Sequence, residues 1–321
     1  MFPLPEREEV RELLLKRAAS GVVVLLLVSV IAFLLVAMVP GDAASAIAGT
    51  GASEAELQRV RASLGLDQSI LVQATRWYSN VLVGDFGQSV LLNRPVASAI
   101  LERLPVTLSL TCYALLLALL LGIGAGVAAA LRPGSRLDHG VMTTALLGLS
   151  LPDFWLGLVG IYVFAVSLGW FSTGGYVPLT EHPLGWLRTT TLPAISLAIT
   201  QLGLIARMTR ANMIEVLSQD YIRTARAKGL PAGVIVFKHA LRNIAVPLLT
   251  VLGIVIGVLF SGAVVIESIF SVPGVGRLII GAVQSRDLPV IQGGVLFVGA
   301  FMVLVNLVID MLCTVLDPQM R

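Results

Sequence analysis

The stretch from Glu215 to Pro247, EVLSQDYIRTARAKGLPAGVIVFKHALRNIAVP, decides how the chain is read. It is a long soluble-looking run, with seven Lys or Arg from Arg207 to Arg242 and apolar stretches of membrane-spanning length further out on both sides. Loops rich in Lys and Arg resist translocation, so this one is expected on the cytoplasmic face. Within it, Asp220, Tyr221, Arg223 and Thr224 lead into a short helix that stops at Gly229, followed by Leu230 and Pro231. Gly just past the last helical residue and Pro soon after form a stop signal, and Pro231 suits the first turn of a second helix. The expected shape is helix, sharp bend, helix, suited to docking in a partner's groove.

Outward from this loop the composition fixes the class. Of the 321 residues, 56% are hydrophobic and only 13% charged, against about 25% charged in ordinary soluble domains. The chain is therefore read as an all-α polytopic membrane protein. A net charge of +3, spread among the loops, gives nucleic-acid binding no support. Cys112 and Cys313 both fall in apolar runs, where they serve as small hydrophobes and offer neither a disulfide framework nor a metal site.

From the N-terminus, residues 1–18 read as a charged, mildly amphipathic cytoplasmic surface helix. Ala19–Val39 is an uncharged run of 21 residues and forms span one, enough for ~30 Å of hydrocarbon at ~1.5 Å per residue. Its positive flank and Ala44-Ser45-Ala46 resemble a secretory signal, but the apolar core is too long for a cleaved one. Residues 40–105 leave the membrane and should carry structure. Ser53 with Glu56 forms a capping box, Asp67 is placed to cap a second helix carrying Trp77, and Asn93 with Pro95 opens a third, to about Leu104. This helical cap is either a docking platform or a lid over a pore mouth. Spans two to six follow at about Val106–Leu131, Val141–Trp170, Thr189–Ala206, Ile244–Ile266 and Pro289–Leu316, the third broken at Leu151-Pro152-Asp153. With both ends cytoplasmic, the inner segments hold 14 Lys and Arg and the outer ones 8, five of them in the long first loop that counts for little.

The residues that could carry chemistry are few. Asp153 lies near the middle of span three, directly after a proline, and ionisable groups at that depth face a bundle interior or a water-filled path. Either a pathway-lining role or a carboxyl bonded to a neighbouring helix fits. Glu267 and Asp310 are similar, nearer their span ends, and Asn306 with Asp310 shares a helix face that suits interhelical hydrogen bonding. Ser150 lacks the glycine context and an intramembrane histidine that a serine protease needs. No His-Glu-x-x-His run is present, and the three lysines, at 16, 228 and 238, form no Gly-Lys-Ser/Thr triplet. Catalytic residues and metal ligands are expected to be absent. Transport then draws either on ion gradients, with the chain a secondary transporter acting alone, or on a borrowed ATPase. The first needs an internal repeat with paired broken helices; one break and no repeat are found.

At this point the chain resembles a known family, the inner-membrane permease subunits of bacterial ATP-binding-cassette importers, in its dipeptide, oligopeptide and nickel branch. The cytoplasmic signature of that family, a Glu-Ala-Ala-like triplet, three residues, Gly, and later Ile or Leu before Pro, is matched by Arg223-Thr224-Ala225, Gly229 and Ile244-Ala245-Val246-Pro247. The Glu is missing and the interval from Gly229 to Pro247 is long, both as in the peptide branch; Asp220 would substitute for the missing Glu. Pro40-Gly41-Asp42, Leu64-Gly65-Leu66-Asp67, Gly84-Asp85-Phe86-Gly87-Gln88-Ser89, Arg103-Leu104-Pro105, Glu267-Ser268-Ile269-Phe270, Pro273-Gly274-Val275-Gly276 and Asp317-Pro318-Gln319-Met320-Arg321 look like its B-type subunit.

The resemblance implies a type I importer permease fold of six transmembrane helices and a multi-pass place in the bacterial inner membrane. Its implied partners are a second permease, two ATPases that bind ATP and Mg, membrane lipids and an extracytoplasmic binding protein, and this chain itself has no cofactor. It further implies that Asp220, Tyr221, Arg223, Thr224, Ala225, Gly229, Leu230 and Pro231 couple to the ATPase. The path and outer gate would involve Pro152, Asp153, Glu267, Pro273, Gly274, Gly276 and Arg277. The cap would receive the binding protein around Trp77, Asp85, Phe86 and Gln88.

Overall fold

The computed structural model describes residues 7–38, 53–64 and 67–316, and among these the chain is helical, with one isolated antiparallel bridge between Gln88 and Pro95. In chain order the helices are α1 (Arg7–Met38), α2 (Glu54–Leu64), α3 (Ile70–Leu82), α4 (Val96–Ala130), α5 (Arg136–Ser150), α6 (Asp153–Gly160), α7 (Pro183–Leu217), α8 (Asp220–Ala227), α9 (Ala245–Ile269), α10 (Val275–Ser285) and α11 (Leu288–Leu316). Ile161–Ser167 continues α6 as a π-helix, and the helical stretch 232–243 between α8 and α9 is π-helical over Ile235–Ala240. Pro40-Gly41-Asp42, the Ala44–Ala46 triplet, Gly65-Leu66 and the tail from Asp317 lie outside the described residues.

Among the described residues five helices are long and apolar enough to span a membrane, and the pair Arg136–Ser150 and Asp153–Ser167, bent by 99° at Leu151-Pro152, brings the number to six when it is taken as one broken span. Pro152 has no N–H to give, and it caps α6 in extended backbone (φ −67°, ψ 138°). Several boundaries differ from the sequence reading. The surface stretch before span one is continuous with it in α1. The third cap helix and span two are one helix, α4, because Pro105 is carried inside it. Span four, read as ending at Ala206, runs on to Leu217. Asp67 does not cap α3; Ser69 holds that place without a side-chain bond. The Ser53 capping box is present: the Glu56 carboxylate accepts from Ser53 N at 2.8 Å and from the Ser53 hydroxyl at 2.9 Å, and these bonds lower the Glu56 pKa from its ordinary value.

Packing divides the chain into two compact units, one of 106–273 with 1–18 and 305–321, the other of 19–105 with 274–304. In the first, α7 is the central element: 67% of its most apolar window is buried, against 33% for α4 and α9. Glycines bring its neighbours to backbone contact. A Cβ on Gly126 of α4 would stand 2.5 Å from the Ala206 carbonyl oxygen, and one on Gly203 of α7 would stand 2.5 Å from that of Ala145 in α5. Gly122 and Gly126 form a Gly-x-x-x-Gly ridge against Ile205 and Thr209. Apolar side chains gain nothing by leaving lipid for one another, so membrane helices rely on such close approach. In the second unit, α3 lies against the outer half of α1. The Trp77 ring is 5.8 Å from Phe33, and the Tyr78 and Ser29 hydroxyls are 3.1 Å apart. Val96, Ala99 and Ile100 of α4 pack with Val275, Leu278 and Ala282 of α10.

Gly126→Ala should therefore lower stability by about 1–3 kcal/mol, the usual cost of overpacking. Gly124→Ala, two residues away with nothing within 4 Å of its Cβ position, should be neutral. The check is the thermal midpoint of detergent-purified protein; equal midpoints for the two variants would remove the close-approach argument.

Candidate functional site

The loop between α7 and α9 forms a closed bend. The exposed helix α8 has only Ile222 and Ala225 buried, and these pack with Ile235 and Leu217. Three bonds end it. Lys228 N donates to Thr224 O at 3.0 Å, Gly229 N to Arg226 O at 2.9 Å, and Leu230 N to Ala225 O at 3.3 Å. The last requires the left-handed backbone that Gly229 adopts (φ +77°), which a side chain would disfavour. Pro231 takes the N-cap position of the following helix and not its first turn. Asn243 closes the far side, its amide donating to the Tyr221 hydroxyl at 2.7 Å. Asp220 lies 3.3 Å from Arg223 on the same exposed face, a surface pair. Thr224 is exposed and its hydroxyl donates back to the Asp220 carbonyl at 3.0 Å, and Leu230 is 37% exposed. The sequence-derived coupling residues are thus gathered in one short segment, with Tyr221, Arg223, Arg226 and Lys228 facing outward.

The start of this loop is tied to the preceding turn by an ion pair that the sequence did not reveal. Asp138, 2% exposed, accepts from the Gly134 backbone at 2.9 Å and from Arg210 Nη2 at 2.7 Å, and a second bond runs from Arg210 Nε. Ser135 caps α5 by accepting from Asp138 N at 3.2 Å. A Ser-x-x-Asp pattern in the sequence marks the cap, but nothing in it marks Arg210, 72 residues on.

The carboxylates singled out within the spans are each bonded to a neighbouring helix. Asp153, the first residue of α6 and half-buried, accepts from the Thr200 hydroxyl of α7 at 2.5 Å. Its other oxygen would lie 3.1 Å from a Cβ on Gly262. Glu267, fully buried in α9, accepts from the Thr107 hydroxyl of α4 at 2.6 Å. Asp310 of α11 pairs with Arg17 of α1 at 3.4 Å, an interhelical bond that is ionic. Just beyond α9, Ser271 takes left-handed backbone (φ 51°) and Val272 N returns to Glu267 O at 2.8 Å. Gly175 N donates to Phe270 O at 2.8 Å, which fastens the loop 168–182 to this turn. Pro273 is exposed; in the second unit Gly274 and Gly276 are buried at the start of α10 and Arg277 is exposed.

The cap residues also belong to the second unit. Asp85 is exposed and its carboxylate accepts from Gly87 N at 2.8 Å; Gln88 is exposed at the bridge to Pro95. Phe86 is half-buried against the Val96 cluster, and Trp77 is half-buried against Phe33 and Tyr78. Ser89 donates to Asp287 at 2.6 Å, clasping this loop to the α10–α11 turn. No group of three or more His, Cys, Asp or Glu gathers among the described residues.

A broken-span helical membrane protein with a bent helix pair between two spans is the class these features define. Residues 122–321 match the family described as the binding-protein-dependent transport system inner membrane component, and residues 10–111 match the N-terminal family of such membrane components. The chain belongs to this family of ABC transporter permeases. It is 49% identical over 309 residues to a peptide transport system permease protein of Brucella abortus (strain 2308), covering 96% of this chain and 98% of that one. To the glutathione transport system permease protein GsiC of Escherichia coli (strain K12) it is 41% identical over 307 residues, with the same coverage. Among solved structures, an inward facing form of the MetNI methionine ABC transporter matches with a TM-score of 0.56 at 18% identity, over 68% of this chain and 96% of that one, a likeness of fold. The chain is accordingly a multi-pass membrane subunit of an importer whose family works with ATPases and a binding protein.

Asp138→Ala should destabilise the protein by about 2 kcal/mol, below the ~3–5 kcal/mol of a wholly buried pair because the Arg210 side chain is 29% exposed. Thermal unfolding of the purified variant measures this; an unshifted midpoint would mean the pair contributes nothing.

Proposed function

We propose that this chain is one of two permease subunits of an ATP-driven importer that moves peptides across the bacterial inner membrane by alternating access. The observation that carries the reading is the bend at Asp220–Asn243. It is closed internally by Asn243 and Tyr221, and the exposed face of α8 and its end, Arg223 to Lys228, is open to a partner. A short rigid helix seated in an ATPase turns closure of that ATPase into rocking of the spans, a hinge-like transition. In this reading ATP and Mg are held by two partner ATPases, the chain itself carries no cofactor, both of its ends are cytoplasmic, and a second permease completes the path. The names of the peptide and glutathione permeases support peptides as the cargo class, glutathione being itself a tripeptide.

The pathway role of Asp153 is supported by its partial exposure beside a broken span, and its bond to Thr200 positions the carboxylate whichever way the path opens. Glu267 and the turn at Pro273 are the residues of the first unit assigned to an outer gate, and Gly274, Gly276 and Arg277 are path residues proposed in the second unit. Asp85 and Gln88, exposed in a loop clasped by Asp287, are the stronger candidates in the cap for contact with the binding protein, with Phe86 and Trp77 supporting them from beneath.

The reading is tested first by mild-detergent purification from native membranes, where a second permease and two ATPases should remain bound. Recovery of the chain alone, transporting under an ion gradient, would replace it with a secondary transporter. In reconstituted vesicles, Gly229→Ala should keep subunit assembly and ATP hydrolysis but reduce uptake per ATP several-fold, because a Cβ in left-handed backbone costs ~1–2 kcal/mol. Normal uptake per ATP would mean the bend is not the coupling element. Asp153→Asn should change the rate or range of peptides taken up in competition assays; an unchanged profile would leave the residue purely structural.

A further inference from the structure

From Tyr221 to Ile266 the chain has no Asp or Glu, but five cations, Arg223, Arg226, Lys228, Lys238 and Arg242. The first three belong to α8 and its end. Lys238 and Arg242 are four residues apart on the stretch 232–243; both are exposed, and neither has an ion-pair partner among the described residues. Phe237, 69% exposed, directly precedes Lys238, and with the half-exposed Leu241 four residues on it forms a row alongside the two cations. The opposite face of the same stretch, Val236, Ala240 and the following Ile244, is buried against Met213 and Ala130. The stretch therefore has one apolar face packed inward and a second, outward apolar strip edged by cations.

Depth selects what covers that strip. Ile244 to Ile266 is an uncharged run of 23 residues, ~34 Å of helix against ~30 Å of hydrocarbon. Arg242 and Lys238 then lie within ~10 Å of the hydrocarbon edge, a gap that long side chains bridge by lying along the apolar boundary. A ring exposed to water beside two unpaired cations at this level has the composition of an interfacial anchor. We propose that Phe237, Lys238 and Arg242 form a binding site for anionic phospholipid headgroups, the ring entering the interface and the two cations holding the phosphate. The anchor lies between α8 and α9, in the second arm of the bend, so the charge of the inner leaflet bears on how firmly that bend is held. It does not depend on the cargo.

The test uses the purified assembly with whatever subunits accompany this chain, delipidated and titrated with phosphatidylglycerol or phosphatidylethanolamine, with bound lipid counted by native mass spectrometry. The wild type should retain phosphatidylglycerol about tenfold in preference. K238Q/R242Q should lower that preference at least threefold, K238R/R242K should keep it, F237A should weaken retention of both lipids, and R223Q/R226Q on α8 should leave it unchanged. Equal preference in K238Q/R242Q and wild type would overturn the proposal. So would loss of the ATPases from K238Q/R242Q with lipid retention intact, which would assign the surface to them. An assembly that fails to take up peptide but shows this pattern separates the lipid site from the cargo reading.

Discussion

Backbone contact along α7 is the constraint on which the first unit depends. Lipid tails are as apolar as leucine, so no solvent force drives helix against helix, and cohesion comes from dispersion at short range and from interhelical hydrogen bonds. The sequence supplies the short range with glycines. Gly122 and Gly126 meet α7 from α4, Gly148 from α5 and Gly160 from α6, while Gly203 lets α7 itself approach Ala145. A helix surrounded in this way has little lipid-facing surface, which is why α7 carries Thr190, Ser196, Gln201 and Thr209 at buried positions that lipid would penalise.

Polar pairs then fix what the glycines bring together. Asp138 with Arg210 joins the α4–α5 turn to α7, Asp153 with Thr200 joins the broken span to α7, and Glu267 with Thr107 joins α9 to α4. Each links helices at a different level of the first unit. A carboxylate in such a place serves cohesion whatever else it does, and the same bond that satisfies Asp153 also orients it.

What could be read in the sequence was local. The apolar runs gave the spans; Pro152 marked the break; Ser53 with Glu56 marked a helix start, and Gly229 marked the bend, because each of these signals lies within a turn of the structure it causes. The ends of helices inside long apolar or amphipathic runs were not legible. Pro105 was read as a boundary although α4 absorbs it, and charged Arg207 and Arg210 were read as loop although α7 carries them. The helix α10 was missed because its 11 residues are too few for a span and directly follow a Pro-Gly turn. The interhelical pairs were beyond reach for a further reason. Sequence spacing tells which face of a helix a residue occupies, but partners 47, 72 and 160 residues apart are matched only once the neighbouring helix is known.

The length of α7 has a mechanical meaning. Its 35 residues measure ~52 Å, some 20 Å more than the hydrocarbon thickness. One helix therefore runs from His182 to Leu217, three residues before α8. Held by glycine contacts along its middle, it is a lever with its fulcrum in the membrane. A tilt of about 10° about that fulcrum carries each end sideways by roughly 4–5 Å, in opposite directions. In the coupling proposed above, a push on α8 would reach His182 as a displacement of the opposite sense, through a helix whose interior Pro193 is the place where it can bend.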